Sequence, residues 1–268
     1  MIRMSVYTIL FATLGILLTA AMVAAPGCQL YRPQSQSQNS IQVMSDAADG
    51  DHRVYLPASS VESAPAVIRV GGDLNATAER SGEGFRSASS RITTSLPEGY
   101  PAPTPPGAID IKRYPSVRRA GISGKMSPDW GMNVAFFPLF KHIKRREIAM
   151  TSPVEMNYHG MDAEKSMEPD AWTMAFLYRS SDLGPAGVDA SDDRILIEDT
   201  GPMMVLSIGM RGAYRLESVQ ARAAELQNWL AGQEEWYAVG EIRALFYNGP
   251  EADSADKWSE IQIPVRRR

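Results

Sequence analysis

The stretch Lys144-Arg145-Arg146-Glu147-Ile148-Ala149-Met150-Thr151-Ser152-Pro153-Val154-Glu155-Met156 lies between a Phe-rich segment of helical pattern and a polar loop. Its chemistry announces no reaction: it holds no nucleophile–base pair, no cluster of metal ligands and no phosphate loop. Its pattern bears on the fold. Ala149, Thr151 and Pro153 alternate with Ile148, Met150, Ser152 and Val154, the period of a strand with one face packed under a helix. Pro153 marks an edge or a bulge, because proline donates nothing to a ladder. Thr151 and Ser152 carry short hydroxyls suited to tying off loop backbone.

Upstream, Phe136, Phe137, Phe140 and Ile143 recur at spacings of three and four, which predicts a helix over Asn133–Lys144. Pro138 lacks an N–H and clashes with the carbonyl four residues back, so it belongs in the first turn or at a kink. Ile109–Tyr114 alternates as a half-buried strand does, and Val117–Ile122 returns after the turn at Pro115-Ser116. Strands over Ala149–Met156 and Ala171–Tyr178 flank the polar loop Asn157–Asp170. The same order then recurs. Ile195–Glu198 and Met203–Met210 are strands, Glu217–Leu230 is a helix with Gly232 near its end, and Glu241–Tyr247 and Trp258–Val265 are strands again. Trp172 and Trp258 open the last strand of each half, and Val117 and Met203 the second strand, at the same offset. The expected fold is α+β: duplicated ββαββ units forming an antiparallel, distorted eight-stranded barrel or curved sheet, with two helices covering apolar faces.

With these elements in place, Ile148–Val154 resembles the Ile-Ala-Met-Thr-Ala/Ser-Pro-Val signature of the SOUL/haem-binding protein family, Ser152 falling at its variable position. Ala135–Ile143 resembles that family's helix pattern, and Tyr114-Pro115 its first hairpin. Tyr247-Asn248 followed by Pro250 resembles the end of its penultimate strand, with Gly249 intervening. The resemblance covers Ile109–Arg266. It implies a pseudo-twofold barrel with two helices, related to bacterial effector-binding domains. It also implies binding of haem, another tetrapyrrole or a different small amphipathic molecule in a hydrophobic surface cleft beside the first helix. It carries no catalytic mechanism.

The chain has 268 residues with 44% hydrophobic and 22% charged side chains, ordinary for a globular protein. Its net charge of −4 excludes a global basic field that would gather nucleic acid. No charged residue occurs between Arg3 and Arg32, and Met4–Pro26 reaches the roughly 20 residues that a spanning helix needs. The order of Arg3, apolar core and small residues reads as an export signal or membrane anchor over residues 1–28, which places the protein in the cell envelope. Cys28, the one cysteine, stands where a lipoprotein signal would place its acylated residue, although Ala25 and Pro26 depart from that pattern. Residues 29–107 are rich in Ser, Gln and Pro and read as a disordered tether. Within it, Ala66–Val70 is a candidate strand. The folded domain is expected at 108–268.

The candidate ligand-binding residues are Met132, Phe136, Phe137, Phe140, His142, Ile143 and Met150, on or beside the first helix. A Met and aromatic stripe at this spacing also suits a core. His142 is the candidate axial ligand for haem iron; His159 and His52 are weaker candidates. Lys141, Lys144, Arg145 and Arg146 are candidates to pair with propionates, although cations suit any helix C-terminus. The loop Asn248–Lys257 is expected to line the same cleft. No other cofactor is implied. Adjacent acids such as Asp192-Asp193 and Glu234-Glu235 do not share a site by spacing, so no enzyme is expected. The rival readings are an envelope interaction module without enzymatic activity and a small-molecule hydrolase using the same cleft.

Overall fold

The structure, a computed structural model, describes residues 66–162 and 166–268. Met4–Pro26, Cys28, His52 and the first part of the tether, up to residue 65, lie outside these residues. Strands β1 (Val67–Gly72), β2 (Glu79–Ser81), β3 (Gly84–Ser87) and β4 (Ser90–Ile92) precede β5 (Ala108–Tyr114) and β6 (Arg118–Gly124). Helix α1 (Pro128–Arg145) leads to β7 (Val154–His159), β8 (Ala171–Leu177), β9 (Gly187–Asp189), β10 (Asp192–Asp199) and β11 (Met203–Arg211). Helix α2 (Leu216–Ala231) leads to β12 (Trp236–Ala238), β13 (Arg243–Phe246) and β14 (Trp258–Arg267).

The main sheet runs β1-β5-β11-β14-β13-β7-β8-β6-β10-β9, with β12 paired to β14. The order is symmetric about the β13–β7 pair: β14 answers β8, β11 answers β6 and β5 answers β10. The first strands are exchanged between halves, so β5 pairs with β11 and β10 with β6. Of the two expected forms, a distorted eight-stranded barrel and a curved sheet, the barrel does not form; the sheet is open. Closure would require β5 to meet β10, and both edges are already taken. β1 pairs along β5, and β9 pairs along β10.

Side chains alternate across a strand, and here both faces are covered. Ile109, Ile111, Leu206, Ile208, Ala244, Phe246, Ile261 and Ile263 face one core, closed by Ala135, Leu139 and Ile143 of α1 and Val219, Ala223 and Leu226 of α2. Helix α1 packs on β6 and β8, and α2 on β11 and β14. The other face carries Asp110, Lys112, Tyr114, Val205, Leu245, Trp258, Glu260 and Gln262. It is covered by residues from the region read in sequence as a tether. Phe85 and Ile92 of the separate β2-β3-β4 sheet, together with Leu96, Tyr100 and Ala102, pack on Tyr114, Val205, Leu245, Tyr247 and Trp258. Asp110 and Lys112 of β5, expected to face solvent, are therefore buried.

Residues 96–107 cross this second face as a strap. The Thr104 N–H donates to Glu260 at 2.9 Å, the Trp258 indole donates to the Thr104 carbonyl at 2.8 Å, and the Gly107 N–H donates to the Gly209 carbonyl at 2.9 Å. Gly209 lets the strap approach: a Cβ there would stand 2.0 Å from the Pro105 carbonyl oxygen. The cluster beneath is ionic. Lys112 and Glu260 are both fully buried and 2.9 Å apart. Ser207, Tyr247 and Gln262 also donate to Glu260. Burial alone would raise the Glu260 carboxyl; Lys112, Ser207 and Tyr247 outweigh it and hold the group below the usual carboxylate range.

The strand expected at Ala149–Met156 begins only at Val154. Residues 148–153 are an irregular connection, with a cis bond at Ser152-Pro153. The two hydroxyls act as read from sequence. Thr151 donates to the Leu177 carbonyl at 2.5 Å and Ser152 to the Tyr247 carbonyl at 3.2 Å, so the connection fastens the ends of β8 and β13. The Ser152 N–H donates to the Ser95 carbonyl at 3.0 Å, tying the connection to the chain entering the strap.

Candidate functional site

Helix α1 starts at Pro128, five residues before the position predicted from the Phe spacing. Ser127-Pro128-Asp129 explains the start: proline is pre-set for the first helical position, and an acid favours the first turn. Pro138 consequently lies inside the helix rather than in its first turn. The i−4 carbonyl that Pro138 cannot bond belongs to Val134, whose side chain lies on the solvent side of the helix. Gly131 holds the helix close to β8: a Cβ there would stand 2.1 Å from Trp172 Cζ2, and the Trp172 indole donates to the Met126 carbonyl at 2.8 Å.

The longer helix sorts the candidates by face. Ile143 is core. Phe136 and Phe140 are half-buried and stacked on each other at 6.1 Å, and Phe136 meets the edge of Phe176 on β8 at 5.2 Å. Met132 and Met150 pack half-buried against the same core. Phe137 points outward and is 66% exposed. It joins two residues that the sequence reading passed over, Trp130 at 65% and Val134 at 44% exposure. Their spacing of four and three makes one apolar stripe along the outer face of α1. Lys141 and Lys144, both exposed, continue that spacing toward the C-terminal end, and Lys144 Nζ lies 5.4 Å from the Phe140 ring centroid. The outer face is therefore amphipathic along its length, with an aromatic body followed by two ammonium groups.

His142 points the other way and is fully buried. Its Nδ1–H donates to Asp189 at 2.8 Å, and its Nε2 accepts the Tyr178 hydroxyl at 2.6 Å. A carboxylate can only accept, which sets this tautomer. Burial pulls the imidazole below its ordinary value, more than Asp189 lifts it, so the ring is neutral at pH 7. Burial also pushes the Tyr178 phenol up to about 12, which keeps it a donor. Both ring nitrogens are thus engaged, and neither faces a position where iron would sit. Asp189 also receives Arg145 at 2.9 Å and Arg146 at 3.0 Å, which leaves Lys141 and Lys144 as the candidate cations not held by it. Its carboxyl, which burial alone would raise, is brought to about 2 by the Ser191 N–H, Arg146 and His142. The cluster fastens the β9–β10 edge to the end of α1.

His159 pairs with Glu241 at 2.7 Å and Thr173 at 2.8 Å. The loop expected at Asn248–Lys257 belongs to the strap side of the sheet: Asn248 donates to the Arg91 carbonyl and Ser89 to Asp256, each at 2.6 Å. A cleft of about 310 Å³ also lies on that side, lined by Arg80, Glu83, Glu98 and Arg179 among others, and it is polar rather than an apolar slot. Among the described residues no group of three or more His, Cys, Asp or Glu side chains could hold a metal ion. No helix among them is long and apolar enough to cross a membrane.

The architecture is that of an α+β domain, an open antiparallel sheet with two helices on one face. The sequence model of the SOUL heme-binding protein family matches residues 99–264, and the chain belongs to that family. No curated protein matches it. Among solved structures it is similar to the EcmrR C-terminal domain, at 14% identity and a TM-score of 0.49, over 60% of this chain and 98% of that one. It is also similar to EcmrR in a complex with DNA, at 14% identity and a TM-score of 0.48, and spans only 57% of that chain. An uncharacterized conserved protein from Listeria innocua is similar at 13% identity and a TM-score of 0.41, over 62% of this chain and 94% of that one.

Proposed function

We propose that this is an exported binding protein without enzymatic activity, which holds a flat, amphipathic, anionic ligand on the outer face of α1. The class includes haem and iron-free tetrapyrroles. The observation that carries this reading is the stripe Trp130–Val134–Phe137 ending at Lys141 and Lys144: an apolar ring system covers the first part while its carboxylates reach the ammonium groups. Family membership supports the ligand class. The charge-free run Met4–Pro26, with Cys28 after it, supports export to the envelope with an anchor or acylated terminus.

The reading makes iron dispensable, because among the described residues no imidazole lies on this face. Titration of the full chain with hemin and with iron-free protoporphyrin is expected to give saturable absorbance shifts of similar affinity. Phe137→Asp is expected to weaken both at least tenfold without loss of thermal stability, since Phe137 is exposed. His142→Ala retains binding. An absence of saturable shift and of thermal protection with either compound would sink the proposal. Mass spectrometry of the mature N-terminus tests whether Cys28 is acylated.

A further inference from the structure

The chemistry of the α1 stripe is also that of a surface made to lie on lipid. Met126, 37% exposed, stands just ahead of the helix with exposed Lys125 beside it, so cations flank the apolar stripe at both ends. A tryptophan, a phenylalanine and a valine on one exposed helix face, bracketed by lysines, match the headgroup–acyl boundary. The indole suits the interface, the apolar side chains reach below it, and the ammonium groups meet phosphates. Asp129, beside Trp130, is held toward the start of α2, where its carboxylate accepts the Leu216 N–H at 2.9 Å; it keeps its charge, and the three flanking lysines outnumber it.

The chain itself supplies the surface. Met4–Pro26 carries no charge. Read as an anchor, it holds the domain beside a bilayer, where a contact too weak to recruit a free protein is populated through effective concentration. We infer that in the ligand-free protein the Trp130–Val134–Phe137 stripe lies on an anionic phospholipid surface, with Lys125, Lys141 and Lys144 on the headgroups. This rests on the anchored reading of Met4–Pro26 and not on the identity of the ligand.

Trp130 is the natural probe, since Trp172 and Trp258 are buried and Trp229 and Trp236 half-buried. The ligand-free full chain is reconstituted into vesicles of brominated phosphatidylcholine, with or without phosphatidylglycerol. The quenching lost in Trp130→Phe is taken as the Trp130 signal. The expected result is a Trp130 signal with phosphatidylglycerol present. It should fall several-fold in the Lys141→Glu, Lys144→Glu double variant and in phosphatidylcholine alone. Vesicle flotation separates the two readings. A chain that fails to float overturns the anchor and the docking together. A chain that floats while Trp130 is no more quenched than in the phenylalanine control overturns the docking alone. Shielding of Trp130 from aqueous acrylamide before any lipid is added also overturns it, because another part of the chain would then cover the stripe. Failure of tetrapyrrole titration leaves the inference standing.

Discussion

Asp189 gathers more partners than any other side chain at the end of α1, and its removal should show in stability. A carboxyl brought from its ordinary value to about 2 corresponds to roughly 2 kcal/mol of folding free energy at neutral pH. Asp189→Asn is expected to lose about that much by urea denaturation, and the difference should shrink as pH falls below the ordinary carboxylate range. His142 has the opposite charge type. Its folded-state pKa is depressed, so below about 6.5 the unfolded chain takes up a proton that the folded ring refuses. Stability should therefore decline as pH drops from 7 through 6. A slope unchanged in His142→Asn would contradict the neutral, doubly bonded ring. At the buried pair, Glu260→Gln leaves Lys112 fully buried without its carboxylate partner and is expected to cost roughly 3–5 kcal/mol. Replacing both partners by Met and Leu should recover only part of that loss: it strands no charge, but it leaves the Thr104 N–H, Ser207, Tyr247 and Gln262 without this acceptor. None of these partnerships could be read along the chain. Asp189 is distant in sequence from His142, and only the fold brings them together.

Helix α1 illustrates what was readable and what was not. Its existence follows from the spacing of Phe136, Phe140 and Ile143, which the structure places on or near the core. Its start does not follow from that spacing. It is set by Ser127-Pro128-Asp129, and a helix begun at Asn133 leaves Trp130 outside the element. The exposed stripe was hidden for that reason, although the spacing of Trp130, Val134 and Phe137 is as regular as that of the core residues. Periodicity identifies a face; it does not say which of two apolar faces meets the sheet. The Ile148–Val154 stretch failed differently. Its alternation is real, but hydroxyl-to-carbonyl bonds hold it as a connection instead of a ladder. Gly131 tests the seating of α1. A methyl group there meets the Trp172 ring plane, so Gly131→Ala is expected to lose about 1–3 kcal/mol and to shift Trp172 fluorescence. A silent Gly131→Ala would mean the helix does not sit as close as described.

For the molecule as a unit, the main surprise is the layer built by residues 66–107. Small, polar and proline-rich sequence reads as tether because it has little apolar area of its own to bury. Here it borrows area, setting Phe85, Ile92 and Tyr100 on a face that would otherwise expose Leu245 and Trp258. A chain starting at 108 should therefore be poorly soluble or markedly less stable than one starting at 66, as judged by denaturant midpoint. Equal midpoints would return the boundary to 108. The exchanged first strands matter for how the molecule is made. β5 emerges early in synthesis, yet its long-range partner is β11; Ile111 waits for Leu206 and Ala120 for Ile197. Neither half can complete its own ladder, so folding is expected to be slow and post-translational, with high contact order. A ribosome-stalled chain ending before β10 carries open strand edges and a half-covered core. Such a chain depends on holdase chaperones, and in their absence an aggregate, rather than a folded half-domain, is its fate.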